Sequence, residues 1–220
     1  MQEAYLDNNA TTRPAPEVIE AMADSMAKVF ANPSSVHRPG QQARKLVDDA
    51  REKVASLIGC APAEVMFTSG GTESINTAIA ALLKVRKPRN RIITSAVEHS
   101  ATQGACELAR ERGATIVEIS VDQQGALDMD QFRRELAGDD IALVSIMWAN
   151  NETGVVFDIP AIAEECRRAK VPLHCDGTQA VGKIPVAVRD VQVDMLSFAA
   201  HKIHGPKGVG GLYVRWGQRT

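Results

Sequence analysis

Residues 197–208 read SFAAHKIHGPKG and place Lys202 just after an apolar strand, between two histidines and ahead of a glycine-rich turn. An apolar strand followed at once by polar side chains is typical of a buried strand in a parallel sheet, where ligands bind beyond the carboxyl ends. A lysine in that position can lose its proton through desolvation and attack an aldehyde as a free amine. Because a lone lysine is more often solvated and protonated, the rest of the chain decides between these interpretations.

Outward from this stretch, the chain alternates short apolar runs with longer stretches of helical period. The apolar runs predict strands at residues 65–68, 91–94, 115–119, 141–147, 172–175 and 195–198. The strongest predicted helix spans residues 41–58, and others begin near Thr72, Ser100, Asp130 and Pro160. This alternation predicts an α/β fold in which a mainly parallel sheet is covered by helices on both faces.

The predicted helix over residues 41–58 has one apolar face and a glycine, Gly59, as its stop. Seven residues form that face. Its members are Ala43, Leu46, Val47, Ala50, Val54, Leu57 and Ile58.

The composition fits one soluble α/β domain with a sizeable core, since the 220 residues are 45% hydrophobic and carry a formal net charge of -2. The chain has no basic stripe with interleaved aromatic residues, which argues against a nucleic-acid partner. No run is apolar and long enough to cross a bilayer, and the first residues lack a signal-peptide pattern, so we expect a cytoplasmic protein. Cys60, Cys106, Cys166 and Cys175 are scattered without the spacing of a zinc site or a disulfide framework, so we expect no metal.

Residues 69–74, SGGTES, follow a predicted strand and open a predicted helix. The glycines let the backbone approach an anion closely, and the free amides at the helix start and the Thr72 hydroxyl supply donors. The spacing matches neither the Walker pattern nor the dinucleotide fingerprint, so this phosphate-binding turn does not indicate a nucleoside triphosphate or NAD. The alternative is a plain turn with an N-cap.

Polar residues also follow the later strands. His99 lies at a strand-to-helix junction, where it can stack on a ring or relay a proton, or where it is an ordinary surface histidine. Asn151 lies in an Asn-Asn-Glu-Thr-Gly segment that is also plain turn chemistry. Asp176 ends the fifth strand, where a buried carboxylate needs a cationic partner or several donors; the alternative is an N-cap. Gln179 lies close enough in sequence to serve the same ligand.

Together these motifs match the needs of one cofactor. Pyridoxal 5'-phosphate requires a phosphate-binding turn, a stacking histidine, a carboxylate for its ring nitrogen, a polar group for its ring oxygen and a lysine anchor. The carboxylate keeps the pyridinium protonated, so that the ring accepts electrons from the α-carbon of the substrate. The chain resembles the amino-terminal and central part of a cysteine desulfurase of the NifS/IscS group, within the class V aminotransferase relatives of the fold-type I pyridoxal enzymes.

The sequence motifs that match the family occur in the same order along the chain. They are residues 5–12, 32–35 with His37, 69–74, 98–99, 150–154, Asp176 with Gln179, and 201–208. The resemblance implies Lys202 as the Schiff-base lysine, His99 as the ring-stacking acid/base and Asp176 as the partner of the pyridine nitrogen. It also implies the remaining contacts: Gln179 on the ring hydroxyl, Asn151 beside the ring and carboxylate, and Gly71, Thr72 and His201 around the phosphate.

Two positions and the length depart from the family pattern. Ala199 stands where relatives commonly carry a phosphate-binding serine, which predicts one phosphate hydrogen bond fewer. Gly177 stands where they usually carry alanine, which predicts less contact against the ring face. The resemblance implies that residues 1–220 are the cofactor-binding large domain with its N-terminal segment. The smaller C-terminal domain, which carries the persulfide-forming cysteine in the family, is expected to be missing, so the isolated chain is expected to be incomplete as an enzyme.

The reaction implied by the resemblance is the pyridoxal phosphate-dependent removal of sulfur from L-cysteine, which yields L-alanine and a persulfide. The sulfur would pass to an acceptor or scaffold protein for iron-sulfur cluster assembly or another transfer pathway, and the family pattern implies a homodimer. Two alternatives stay open. One is an inactive pyridoxal-binding fragment or scaffold, and the other is a different fold-type I enzyme such as a selenocysteine lyase or an aminotransferase.

Overall fold

A computed structural model describes residues 4–215 and 217. The described residues form one seven-stranded sheet, with strands β1 (Val65–Thr68), β2 (Arg91–Ser95), β3 (Thr115–Ile119), β4 (Ile141–Met147), β5 (Leu173–Asp176), β6 (Met195–Ala199) and β7 (Gly210–Val214). The first six confirm the predicted strands to within one residue at each end. β7 is not among the predicted strands.

The helices are α1 (Pro16–Lys28), α2 (Arg38–Ile58), α3 (Gly71–Val85), α4 (Ser100–Glu111), α5 (Met129–Leu136), α6 (Ile159–Ala169) and α7 (Val188–Val191), with 3-10 turns at Pro62–Glu64 and Ala200–Lys202. The predicted starts of α3 to α6 are confirmed to within one residue. Gly59, in the left-handed region at φ 71°, ends α2 as predicted. α1 and α7 are not predicted from the sequence. Within the described ranges, no helix has both the length and the apolar character needed to span a membrane.

α2 buries fewer of its apolar side chains than its periodicity predicts. Ala43 and Ile58 are buried as expected, and the helix joins the core near its C-terminal end through Ala55 and Ile58. Leu46, Val47, Ala50 and Leu57 belong to the predicted apolar face but are exposed. Periodicity identifies an apolar face, but it does not say which neighbouring element covers that face.

The strand order is β1-β7-β6-β5-β4-β2-β3. β2 to β6 pair in parallel, whereas β7 runs antiparallel to both β1 and β6. Met147 of β4 is paired with Asp176 of β5, which is paired in turn with Ser197 of β6. The carboxyl ends of the three central strands therefore lie side by side, and the segments that follow them meet at one edge of the sheet.

Helices cover both faces of the sheet, as the alternation predicts. α5 and α6 pack on one face through Phe132 and Ile162, and α3 and α4 pack on the other through Ile75 and Ala105. β4 is buried at every position. Burial on both faces explains why this strand reads as a continuous apolar run instead of an alternating one.

A buried histidine bridges the three central strands. His174 Nδ1 lies 2.9 Å from Ser145 Oγ on β4, and Nε2 lies 2.8 Å from Ser197 Oγ on β6. Burial lowers the pKa of His174 to about 3. The neutral imidazole therefore donates one of these hydrogen bonds and accepts the other, and both fix the spacing of the strands that lead into the site.

Two glycines allow β7 to insert between β1 and β6. A Cβ on Gly210 would lie 2.6 Å from the Gly70 backbone, and a Cβ on Gly211 would lie 2.2 Å from the Phe198 ring. Neither position has room for a side chain. Glycine at both positions is therefore required for β7 to form, although a glycine-rich sequence is more typical of a turn.

Candidate active site

One cavity, which we call the strand-end cavity, lies beyond the carboxyl ends of the central strands. All eight residues predicted for the site line it: Gly71, Thr72, His99, Asn151, Asp176, Gln179, His201 and Lys202. They come from the start of α3, the β2–α4 junction, the loop after β4, the end of β5 with the turn that follows, and the 3-10 turn after β6. This is where the topology of an open parallel sheet places ligand-binding residues.

The predicted phosphate-binding turn leads directly into α3, whose first residue is Gly71. The backbone N–H groups of a first helical turn lack partners within the helix and attract anions. A Cβ on Gly71 would lie 3.1 Å from Thr178 Oγ1 and 3.7 Å from Ala199 Cβ. Glycine therefore lets the helix start pack closely against β6 and the turn after β5, and Ala199 contributes a methyl group there in place of a hydroxyl.

Asp176 is 4% exposed at the end of β5. Its Oδ1 accepts a hydrogen bond from the Thr178 N–H at 3.0 Å, so the carboxylate also shapes the turn that follows. Burial raises the pKa of Asp176, while Thr178, His99 and Lys202 oppose that rise. A cationic N–H donor in the cavity would stabilise the charged carboxylate, which is what a protonated pyridine nitrogen offers.

His99 is the N-cap of α4 and lines the cavity. Its Nδ1 accepts a hydrogen bond from the Ala101 N–H at 3.1 Å. In the neutral imidazole the hydrogen therefore sits on Nε2. The cap fixes the ring through Nδ1 and leaves Nε2 outside the capping hydrogen bond.

Lys202 is 8% exposed and lies on the 3-10 turn directly after β6. Its Nζ donates a hydrogen bond to the Asn9 carbonyl oxygen at 2.5 Å. Burial lowers the pKa of Lys202, and the neighbouring charge of Lys183 lowers it further. The amine is therefore closer to its nucleophilic, uncharged form than a solvated lysine would be.

Asn9 and Lys183 belong to the same hydrogen-bond network but are not among the predicted site residues. The Asn9 carbonyl oxygen accepts from Gln179 Nε2 at 2.9 Å as well as from Lys202. Lys183 Nζ donates to Gln179 Oε1. Asn9 acts through its backbone carbonyl, which no side-chain motif can predict. Lys183 follows Gln179 by four residues, and this spacing is the sequence signal that could have identified it.

The two asparagines after β4 have different roles. Asn150 is buried, and its Oδ1 accepts from the N–H groups of Glu152 at 2.8 Å and Thr153 at 2.9 Å, which holds the turn. Asn151 lines the cavity, and its carbonyl oxygen accepts from Asn9 Nδ2 at 3.2 Å. Asn150 therefore stabilises the turn, and the adjacent Asn151 contributes to the cavity.

His201 connects the cavity to the N-terminal segment. Its Nδ1 lies 3.2 Å from Thr11 Oγ1, and its carbonyl oxygen accepts from the Thr12 N–H at 2.8 Å. Burial lowers the pKa of His201, and the charges of Lys202 and Lys207 add to the effect. Thr11 and Thr12 thereby fix the N-terminal segment beside the 3-10 turn that carries Lys202.

Gly177 does not line the strand-end cavity. A Cβ at this position would lie 2.7 Å from Leu196 Cδ1 and 3.3 Å from the Ser197 carbonyl oxygen. The expectation that Gly177 reduces contact against a bound ring is therefore wrong, because the position faces β6.

The four cysteines are free thiols, and none lines the cavity. Cys106, Cys166 and Cys175 are buried, as predicted for Cys175 from the strand alternation, and burial raises the pKa of each. Burial also raises the pKa of the half-buried Cys60 to about 11. The thiolate is the reactive form, so all four groups are poorly suited to nucleophilic attack. Within the part of the chain that the structure describes, no cluster of histidine, cysteine and carboxylate side chains could hold a metal ion.

Comparison with known proteins agrees with this geometry. The family model "Aminotransferase class-V" matches residues 4–218. This chain belongs to the aminotransferase class-V family. Among its curated relatives, a cysteine desulfurase of Klebsiella pneumoniae is 50% identical over 220 residues, which cover 100% of this chain and 54% of that protein.

Solved structures of similar proteins confirm the fold. A structure titled "NIFS-LIKE PROTEIN" matches with a TM-score of 0.94 and 37% identity, over 98% of this chain and 60% of that one. One titled "SspA in complex with cysteine" matches with a TM-score of 0.93 and 33% identity, over 99% of this chain and 63% of that one. The resemblance to the cysteine desulfurases is therefore confirmed. The chain spans about half the length of the curated relatives it matches.

Proposed function

We propose that this chain is the pyridoxal 5'-phosphate-binding large domain of a cysteine desulfurase. The observation that carries the proposal is the convergence of Lys202, Asp176 and the start of α3 on one cavity. A nucleophilic amine, a buried carboxylate and an anion-binding helix start are the three groups needed to hold the aldehyde, the ring nitrogen and the phosphate of this cofactor.

The other cavity residues have proposed contacts with the same cofactor. Gly71 and Thr72, with His201, would bind the phosphate, and Gln179 would donate to the ring hydroxyl through Nε2. His99 would lie against the ring, and Asn151 would lie beside the ring and its substrate. When bound, the cofactor supplies an electron sink for the α-carbon of an amino acid.

Lys202, His99 and Asp176 have the proposed roles of moving protons and stabilising charge at the cofactor. Lys202, with its pKa lowered by burial, would hold the cofactor and later accept or return a proton at the α-carbon. His99, capped through Nδ1, would move a proton at Nε2. Asp176 would keep the ring nitrogen protonated by pairing its charge with the N–H.

The proposed substrate is L-cysteine, and the proposed products are L-alanine and a persulfide. The names of the relatives support this choice, because several are called cysteine desulfurase and one solved neighbour is titled as a complex with cysteine. In the proposed reaction, a cysteine thiolate would attack the substrate sulfur and form a sulfur–sulfur bond, while the Cβ–S bond of the substrate breaks and its electron pair goes to the carbon side. Protonation of that carbon would complete alanine, and the sulfur would stay on the attacking cysteine as a persulfide. The sulfur would pass to an acceptor or iron-sulfur scaffold protein.

We also propose that the protein is a cytoplasmic homodimer. Large apolar side chains are solvent-exposed around the N-terminal helices: Leu6 is 87% exposed, Met26 71%, Phe30 85% and Val36 90%. Apolar surface of this kind is typical of an interface, and we propose that a second copy covers it. Free cysteines suit a reducing compartment such as the cytoplasm.

Covalent trapping tests the proposal. The protein is mixed with pyridoxal phosphate, reduced with borohydride, digested and analysed by mass spectrometry. We expect the pyridoxyl group on Lys202 and a visible absorbance that is lost in Lys202→Ala. Lys207→Ala, in the same loop, is the matched control and should keep both. Unchanged colour in Lys202→Ala, with the label on another lysine, would show that the anchor is wrong.

A further inference from the structure

Lys183 and Lys202 are connected through two intermediate groups. Lys183 lies in the turn after β5, where its Nζ donates to Gln179 Oε1. Gln179 Nε2 donates to the Asn9 carbonyl oxygen at 2.9 Å, and Lys202 Nζ donates to the same oxygen at 2.5 Å. Lys183 itself does not line the strand-end cavity, so it can act there only through Gln179 or through its charge.

The chemistry of Lys183 fixes the orientation of the Gln179 amide. An ammonium group has three donors and no acceptor, so the group that faces it must be the amide oxygen. The Asn9 carbonyl is an acceptor only, so the group that faces it must be the amide nitrogen. Both neighbours therefore select the same orientation. Gln179 then presents N–H donors, and no acceptor, toward the Asn9 side of the cavity.

The second effect of Lys183 is electrostatic. Burial lowers the pKa of both lysines, and Lys202 is the more deeply buried of the two, so the two cations do not compete equally for protonation. Carboxylates nearby favour the charged form of Lys202, and a neighbouring cation disfavours it. The charged or titratable groups around Lys202 are Asp7, His99, Glu152, Asp176, Lys183 and His201. Among these groups, Lys183 is the lysine that offsets the carboxylates.

We propose that Lys183 is a positioning residue of this site: its ammonium holds the Gln179 amide with Nε2 toward the cavity, and it places a positive charge two hydrogen-bonded groups away from the Lys202 amine. The use of these effects in catalysis rests on the proposed function. The effects themselves are properties of the chain and do not require a cofactor.

Nuclear magnetic resonance of the protein without cofactor tests both effects. Lysines are reductively methylated with ¹³C-formaldehyde, and the Lys202 signal is identified by its loss in Lys202→Arg. In Lys183→Met we expect the midpoint of the Lys202 titration to rise by about 0.5 to 1 pH unit, because one repelling charge is removed. Lys183→Arg keeps the charge and should keep the midpoint. Lys207→Met, in the loop after Lys202, removes a lysine charge that lies outside the network of Lys183, Gln179 and Asn9, and is the matched control.

Lys183→Gln separates charge from hydrogen bonding, because its amide can still donate to Gln179. The Gln179 side-chain N–H signals, identified by their loss in Gln179→Glu, should move toward those of a free glutamine in Lys183→Met and remain in place in Lys183→Gln. The Lys202 midpoint should rise in both variants. Melting temperatures establish that each variant is folded.

The proposal is overturned if the Lys202 midpoint is the same in wild type, Lys183→Met and Lys183→Gln, or if the Gln179 signals are unchanged in Lys183→Met. These results are distinct from a failure of the proposed function. A pyridoxyl label on a lysine other than Lys202 would reject the cofactor anchor, but it would leave both measurements without cofactor unaffected.

Discussion

The charge of Asp176 distinguishes between two interpretations of this position, a cofactor-binding carboxylate and a residue that only shapes a turn. Burial already raises its pKa, so the neutral Asp176→Asn variant should fold at least as well as the wild type. Asparagine can also accept the Thr178 hydrogen bond that shapes the turn. We expect pyridoxal phosphate to bind about tenfold more weakly or worse, since a hydrogen bond to a charged group contributes about 1.5–3 kcal/mol.

Fluorescence or absorbance titration with the cofactor measures that affinity, and calorimetry measures the melting temperature. A purely structural Asp176 would leave the affinity for the cofactor unchanged, and the melting temperature would change little because asparagine keeps the Thr178 hydrogen bond.

Glu98 adds a pH dependence to the stability of the fold. Its Oε1 accepts from Ser95 Oγ at 2.6 Å and from the Met147 N–H at 2.9 Å, and burial raises its pKa from 4.5 to about 8. Between these values the folded chain keeps a proton that the unfolded chain releases, so stability falls as the pH rises from 4.5 to 8.

Glu98→Gln should therefore flatten the dependence of melting temperature on pH. We expect the melting temperature of the variant to rise relative to the wild type by about 3 °C or more for each pH unit between 4.5 and 8, because each unit of pKa shift is worth about 1.4 kcal/mol and each kcal/mol shifts the melting temperature by about 2–4 °C at this size. Glu107→Gln, on the exposed side of α4, is the control and should leave the slope unchanged. Equal slopes for Glu98→Gln and the wild type would mean that the folded protein does not retain this proton.

Among the elements, the three central strands depend on His174. In His174→Leu the Ser145 and Ser197 hydroxyls stay buried without their partner. Each unsatisfied buried group costs about 1–3 kcal/mol, so we expect the melting temperature to fall by about 5–10 °C. Calorimetry at neutral pH measures the change.

A triple variant is the control for this interpretation. Adding Ser145→Ala and Ser197→Ala removes the unsatisfied hydroxyls and should recover part of the loss, because replacing both partners is less costly than removing one. A triple variant that melts below His174→Leu would assign the loss to packing around the histidine instead.

The strands also show which parts of the fold can be predicted from the sequence. Alternation predicts six strands and the parallel sheet, and parallel strand ends predict that Lys202, Asp176 and His99 meet, because both are consequences of local patterns. β7 is not predictable in this way, since Gly210 and Gly211 are required by contacts with Gly70 and Phe198 that only the folded chain brings together.

The same limit explains the other differences. Leu46 and Leu57 follow helical period but lack a covering element among the described residues. The role of Asn9 depends on a backbone carbonyl, which leaves no mark in the residue type. Gly177 follows the site residue Asp176 in sequence and is therefore expected to face the cofactor. A Cβ at Gly177 would instead point toward β6.

For the whole molecule, the position of the cysteines decides whether residues 1–220 can desulfurate cysteine unaided. All four thiols lie outside the strand-end cavity, and burial raises the pKa of each. We expect a protein made of these 220 residues alone to change the spectrum of bound pyridoxal phosphate on addition of L-cysteine, but to release almost no sulfide or alanine.

Supplying the remaining half of a relative, by extension or as a separate chain, should restore turnover. Sulfide and alanine assays measure it, with a serine variant of the supplied cysteine as the matched control. Steady turnover by the 220 residues alone, abolished by mutating one of their own four cysteines, would place the nucleophile in this half of the protein.

The pairing of β1 has a consequence for how the protein is made. β1 hydrogen-bonds only to β7 within the described sheet, and Ser74 Oγ in the first turn of α3 donates to the Gly211 carbonyl oxygen, 137 positions later, at 3.0 Å. A ribosome adding about 5–20 residues per second needs roughly 7–27 s to cover that separation. During this interval β1 is an unpaired strand edge, and the phosphate-binding turn lacks its final neighbour. The start of α3 therefore gains its contact with β7 late in synthesis, so the proposed phosphate site cannot assist the early stages of folding on the ribosome.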